Sequence, residues 1–203
     1  MPFCVAPIVE GHGESQAVPI LFNRLIAEFD LGVQISIERP IRQPKSSLIK
    51  EGGLERAIEL AAIASGDNGA IFVLIDSDGD CPRKRAPQLL ARALKARPDR
   101  RIYLVLAHHE YEAWFLASAS SLKRCCHLAD DIEDHPTPEN VQDCKGWLEE
   151  SMPHTSKYSE TADQAALTAV FNITLARRAP SFDKLYRDFE RICLEARDAQ
   201  EQP

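Results

Sequence analysis

The run Ala70-Ile71-Phe72-Val73-Leu74-Ile75-Asp76-Ser77-Asp78-Gly79-Asp80 decides the fold. Six apolar residues in succession, stopped abruptly by acids and a glycine, read as a strand buried on both faces with a loop at its carboxyl end. A second stretch repeats the pattern. Phe3–Val9 reads as a buried strand, and Glu10-Gly11-His12-Gly13-Glu14 follows it. Between them, Ser15–Phe29 places Val18, Leu21, Phe22, Leu25 and Ile26 at helical spacing, and Val33–Glu38 alternates apolar and polar residues as a half-buried strand does. Pro40–Gly53 reads as a basic loop and Leu54–Ser65 as a helix. After the central run come a loop to Pro82, a helix over Pro87–Ala96 and a fourth strand, Arg101–Ala107.

The order β-α-β-α-β-α-β predicts an α/β fold, a mostly parallel four-stranded sheet flanked by helices. The second half reads as helical, with candidates at Tyr111–Ala117, Pro138–Glu149, Ala162–Arg177 and Phe182–Ala199, and a frayed tail over Asp198–Pro203. Residues 1–118 are read as the α/β core and 119–203 as a helical extension packed on it, within one structural unit.

Composition bounds the functional class. The chain has 203 residues, 44% hydrophobic and 27% charged, as expected for a globular protein with a core of its own. No apolar run approaches the roughly 20 residues needed to cross a bilayer, and Met1–Val9 lacks a basic leader. Six scattered cysteines form no Cys-x-x-Cys pair, so reduced thiols in the cytoplasm are expected, with no membrane association. Cys125-Cys126-His127 with His135 and Cys144 matches no common zinc spacing. A net charge of −7 argues against indiscriminate coating of nucleic acid. The charge is uneven, however: Arg83–Arg101 carries eight basic residues against one acid, Asp99. That segment is read either as a phosphate track, with Arg83, Lys84 and Arg85 as nucleic-acid contacts, or as a solvated helix face.

The chemistry lies in the acids. Both acidic motifs fall at carboxyl ends of parallel strands, the edge that lines the ligand crevice in such sheets. In Asp76-x-Asp78 alternate side chains can leave the strand toward one side. Glu10, Glu14, Asp76, Asp78 and Asp80 crowded on one edge would repel one another unless protonated or neutralised by cations. Oxygen ligands alone suit Mg²⁺ or Mn²⁺. Glu110 and Glu112, after the fourth strand, open on the same edge and could add ligands, Glu112 the better placed of the two. A calcium loop is excluded, because Cys81 and Pro87 stand where such a loop needs Gly and Glu. There is no third glycine for a dinucleotide fingerprint, no Walker A sequence and no Gly-x-Ser-x-Gly elbow.

Glu10 in Val9-Glu10-Gly11-His12-Gly13-Glu14, with Asp76-x-Asp78 after a later hydrophobic strand, resembles the Toprim domain shared by topoisomerases, primases and OLD-type nucleases. The whole chain more closely resembles the Toprim-like domain-of-unknown-function family 4276. Besides the acidic motifs, the likeness rests on Glu112-Ala113-Trp114-Phe115-Leu116-Ala117, Pro138-Glu139, Lys145 with Leu148, Tyr158, and Ser181-Phe182 with Leu185. That family is widespread in bacteria and its members are often associated with ATPases. The resemblance implies a metal-dependent phosphodiester enzyme, a nuclease in the first instance. Glu10 would be its general acid or base, Asp76 and Asp78 would hold Mg²⁺ or Mn²⁺, and Glu14 and Asp80 would assist. The basic residue expected beside such acids is not evident, and Lys157, Arg83 and Lys84 are the candidates. The alternative is a non-catalytic module that binds nucleic acid or a partner ATPase.

Overall fold

The computed structural model describes residues 2–201. Its centre is a wholly parallel sheet in the order β2-β1-β4-β5, with β3 also paired to β1. The strands are β1 (Phe3–Val9), β2 (Ile35–Ile37), β3 (Ile41–Arg42), β4 (Ala70–Asp76) and β5 (Arg101–Ala107). The helices of this half are α1 (His12–Phe29), α2 (Lys45–Leu48), α3 (Gly53–Ser65) and α4 (Pro82–Ala96).

The sheet thus has five strands where four are expected. The extra pair, Ile41–Arg42, and the short helix α2 lie within the stretch read as a loop. Pro7 supplies a physical reason for the divided edge. The N–H of Phe3 and the carbonyls of Val5 and Val9 all bond toward the β2/β3 side. By alternation Pro7 faces that side too, and it has no N–H to offer a neighbour. The interruption falls there: β2 pairs with Phe3–Val5, and β3 takes over at Ile8 and Val9.

Helices cover both faces of the sheet, so the central strands read as unbroken apolar runs. On one face Phe22 of α1 stacks on Phe189 (4.4 Å between centroids) and meets Phe72 edge-on (5.0 Å). On the other, Ile71, Val73, Leu104 and Leu106 pack against Ile58 of α3 and Leu89 of α4. Each such side chain contributes about 1.5–3 kcal/mol on burial. The first core continues without a break into the second half, taking in Leu148, Phe171, Phe182 and Ile192.

That second half contains α5 (Ala113–Ala117), α6 (Cys144–Glu150), α7 (Ala165–Val170), α8 (Ile173–Ala176) and α9 (Pro180–Glu201), with short 3₁₀ turns between them and a π-helical turn, Glu160–Gln164, leading into α7. Two expected helices are broken by caps. Asp143 accepts the Gly146 N–H (2.8 Å) and starts α6 afresh after a turn at Pro138–Asn140. Asn172 accepts the Leu175 N–H (2.9 Å) and starts α8. At the other end α9 runs on through Glu201, so Asp198–Glu201 are helical where fraying is expected. Residues 202 and 203 lie outside the described residues. No helix among the described residues is long and apolar enough to cross a membrane.

Register places the site. Val9 pairs with Leu74, and Asp76 pairs with Ala107, so β1, β4 and β5 end nearly level. Glu10, the Asp76–Asp80 loop and the His108–Glu112 loop therefore share one edge.

Candidate functional site

Ser77 holds the edge together. It is fully buried. Its N–H donates to the Ala107 carbonyl (2.8 Å), and its Oγ accepts the His109 N–H (2.9 Å). The Asp78 N–H donates to the His109 carbonyl (3.1 Å), completing a clasp between the two loops. Asp78 (φ 49°) and His109 (φ 61°) both adopt the left-handed region within it. Such residues store of the order of 1 kcal/mol each and concentrate at functional sites.

The clasp separates the two aspartates. Asp76 ends β4, and its Oδ1 accepts the Tyr111 N–H (2.9 Å). Burial, then the negative charges of Glu112 and Glu14, hold its carboxyl well above the ordinary aspartate range. Asp78 stands two residues on, with a side chain 66% exposed and paired to Lys45 Nζ at 2.7 Å. The left-handed turn ends the strand alternation, so the two carboxylates do not share one environment as Asp-x-Asp suggests.

Glu10 lies between these surroundings. Burial and then Asp78 raise its pKa, Lys45 opposes them, and Glu14 raises it further. Glu14 is buried on the first turn of α1 and is raised by burial and by Glu160. Its Oε2 folds back over Gly11, so closely that a Cβ there would lie 2.3 Å from it.

Glu112 is fully buried. Its Oε1 accepts the Tyr158 O–H (2.7 Å) and a Gln164 N–H (3.1 Å). Burial pushes its pKa up to about 7 against the pull of Lys145. Glu110 reaches further along the edge, where its Oε2 accepts the N–H groups of Cys144 (3.0 Å) and Lys145 (3.3 Å) at the start of α6.

Two lysines lie against the acids. Lys45 Nζ donates to the Ser77 carbonyl and to Asp78 Oδ2, both at 2.7 Å, and lies 3.9 Å from Asp80 Oδ2. Lys145 Nζ pairs with Glu160 (2.5 Å) and Glu110 (3.3 Å). Burial would lower its pKa, but Glu112, Glu160 and Glu110 outweigh that and raise it. The expected candidates lie elsewhere: Arg83, Lys84 and Lys157 are exposed, and none of them pairs with a site acid. Arg85 is half-buried, with Nε 4.0 Å from Asp80 Oδ2. The basic segment itself divides. Arg92, Arg97, Arg100 and Arg101 are engaged with Glu55, Glu59, Asp67, Asp99 and Glu195, which leaves Arg83, Lys84 and Lys95 without an ion pair among the described residues.

The donor chemistry suits a hard divalent cation. Glu10 Oε2, Glu14 Oε2 and Glu112 Oε2 are each buried with no hydrogen-bond partner among the described residues, which is costly unless a proton or a cation meets them. The acids run in file along the edge, and among the described residues no three carboxylate, thiol or imidazole groups are gathered closely enough to hold one ion as they stand. Apart from the Cys125–Cys126 neighbours (Sγ to Sγ 3.5 Å), the cysteines are dispersed and all six are free.

No curated protein and no solved structure matches this chain. One family does, described as Domain of unknown function (DUF4276), over residues 9–190. That span holds every acid and both lysines of the site, and the chain belongs to the DUF4276 family.

Proposed function

We propose that the chain is a metal-dependent phosphodiester enzyme, in the first instance a nuclease, with a carboxylate site of the Toprim kind. The observation that carries this is the file of acids at the level ends of β1, β4 and β5, three of which present a buried, unpartnered oxygen. Protons on the raised carboxyls and Lys145 offset part of that repulsion and desolvation, and a bound cation would offset the rest.

In this reading Asp76 and Asp78 would hold Mg²⁺ or Mn²⁺ once the Lys45–Asp78 pair opens, with Glu14 on the buried side and Asp80 on the exposed side. Such a cation would supply positive charge toward the phosphodiester oxygens. Glu10, half-buried and with a raised pKa, moves the proton at one of those oxygens. Lys45, anchored on Ser77 and Asp78, sets a fixed positive charge against the phosphate. Tyr158 and Gln164 orient Glu112, whose negative charge acts on Asp76 and helps to keep its pKa high. The OLD-type likeness, a partner ATPase and a cytoplasmic location belong to the same proposal.

A second reading rests on the Lys45–Asp78 pair. A lysine there already neutralises the exposed acids, as a non-catalytic module binding nucleic acid or an ATPase would need. Cleavage of single- and double-stranded DNA and RNA, with and without Mg²⁺ or Mn²⁺, tests the two. Glu10→Gln and Asp76→Asn are expected to lower metal-dependent cleavage at least a hundredfold, on the order of what a positioned acid or base contributes. Absence of cleavage together with absence of Mg²⁺ and Mn²⁺ binding by calorimetry overturns the enzyme reading in favour of the binding module.

A further inference from the structure

On the far side of the Asp76–Asp80 loop lies a large cleft. It has a volume of about 990 Å³, at the upper end for small-molecule sites. It shares Gly79 and Asp80 with the smaller hollow that holds Glu10, Lys45 and Asp78, so the two adjoin across that turn. Its floor is apolar: Leu104 and Leu106 of β5 with Pro87 and Leu90 of α4. One wall is the Pro136–Asn140 turn and the start of α9.

That wall is built and fixed. Glu139, whose side chain is 11% exposed, accepts the Ser181 N–H (2.7 Å) with one oxygen and faces His108 Nδ1 (3.3 Å) with the other. Ser181 Oγ accepts the Trp114 indole N–H (2.9 Å) and the His108 N–H (3.3 Å). His108 and His109 lie ring on ring, 4.6 Å between centroids and 11° apart, so the lining includes a planar stack. Around the rim stand Arg83, Arg178, Lys184 and Arg187. The last three are paired with the half-buried Asp134, Asp188 and Asp183, but their own side chains remain 43%, 44% and 62% exposed and leave room for a phosphate beside the acid. Arg83 is exposed and has no ion pair among the described residues.

We infer that this cleft binds unpaired nucleotides of a single-stranded nucleic acid and leads the strand to the acid site. The inference rests on the phosphodiester reading above. An apolar floor with stacked planar rings takes the faces of bases, which a duplex keeps stacked on one another and a single strand exposes. A cationic rim takes the backbone between them. A strand that crosses the Gly79–Asp80 turn brings its next phosphodiester beside Lys45 and Asp78.

Fluorescence anisotropy of the full chain with a short labelled oligonucleotide in EDTA, single-stranded or annealed to its complement, tests this without catalysis. The single strand is expected to bind more tightly. Arg83→Glu and Lys184→Glu should each weaken it about tenfold and lower the salt slope by about 1, as the loss of one phosphate contact does. Lys95→Glu makes the same charge change on exposed α4 outside the cleft and should leave binding unaltered. Leu90→Asn, at the floor, should weaken binding without changing the salt slope. Equal or tighter duplex binding, an equal effect of Lys95→Glu, or equal competition by polyglutamate, which offers charge without bases, each overturns the inference. Cleavage by a wild-type chain whose binding ignores the rim variants overturns the cleft and leaves the acid site standing. Rim-dependent binding with neither metal binding nor cleavage supports the cleft and overturns the phosphodiester reading.

Discussion

Asp76 and Asp78 are two residues apart on one loop, yet they belong to two different chemical regions. The inner region, Asp76 with Glu14 and Glu112, is closed over by Tyr158, Gln164 and Lys145. Its carboxyls are all raised, with burial the largest cause. In the outer region Asp78 and Asp80 face solvent, and Lys45 lies against them. Glu10 is shared by both. The difference teaches that charge on this edge is handled in two ways. Outside, water and a lysine suffice. Inside, the protein carries a strain that only protons, Lys145 or an incoming cation can relieve.

Exchanging each lysine for an isosteric apolar residue tests that division and has the largest expected effect. Lys145→Met leaves Glu110, Glu112 and Glu160 without their cation and is expected to cost about 2–4 kcal/mol, more at alkaline than at mildly acidic pH. Lys45→Met exposes only acids that water already reaches, and about 1 kcal/mol or less is expected. Urea denaturation of both variants gives the answer. Equal losses would mean that the two regions are one.

The next effect is a pH dependence of the metal-free protein. Glu112 moves from an ordinary 4.5 to about 7 on folding. Between those values the native state binds more protons than the unfolded chain, so stability falls as pH rises through that window. The change is of the order of 3 kcal/mol. Asp76, Glu10 and Glu14 shift in the same direction and add to it. Glu112→Gln should reduce the slope in denaturant titrations repeated across that range, with the share of Asp76, Glu10 and Glu14 remaining. A wild-type stability that instead rises toward neutrality would show the inner acids to be paired and relaxed.

The sequence discloses the two regions unequally. β1 and β5 begin and end where their apolar runs do, because strands covered on both faces leave no ambiguity of period. Glu10, Asp76 and Asp78 stand at strand ends for the same reason. The split edge at Pro7 is less visible, since a two-residue strand such as Ile41–Arg42 has no periodicity to read. The lysines are hidden by distance: Lys45 meets Asp78 from 33 residues away, and Lys145 meets Glu110 from 35. Lys45 lies in the basic Pro40–Gly53 loop and Lys145 among the residues of the family likeness, but nothing local joins either one to the acids, and the run of charge at Arg83–Arg101 draws attention to cations that are largely engaged with acids of their own.

The finest test uses two glycines, two residues apart, that enter the same helix. At Gly11 the backbone (φ −102°, ψ 177°) suits any residue, so alanine there costs the chain little or nothing in conformation. Its Cβ would, however, lie 2.3 Å from Glu14 Oε2, and the carboxylate, being the end of a flexible side chain, would be the group to move. At Gly13 a Cβ would lie 2.8 Å from the backbone carbonyl of Glu160, which cannot step aside so easily. Gly13→Ala is therefore expected to lose about 1–3 kcal/mol of stability by overpacking α1 against the segment before α7. Gly11→Ala is expected to keep its denaturation midpoint within about 0.5 kcal/mol of the parent while weakening Mn²⁺ binding measured by calorimetry. If Gly11→Ala binds Mn²⁺ as the parent does, Glu14 serves only the start of α1, and the inner region narrows to Asp76 and Glu112.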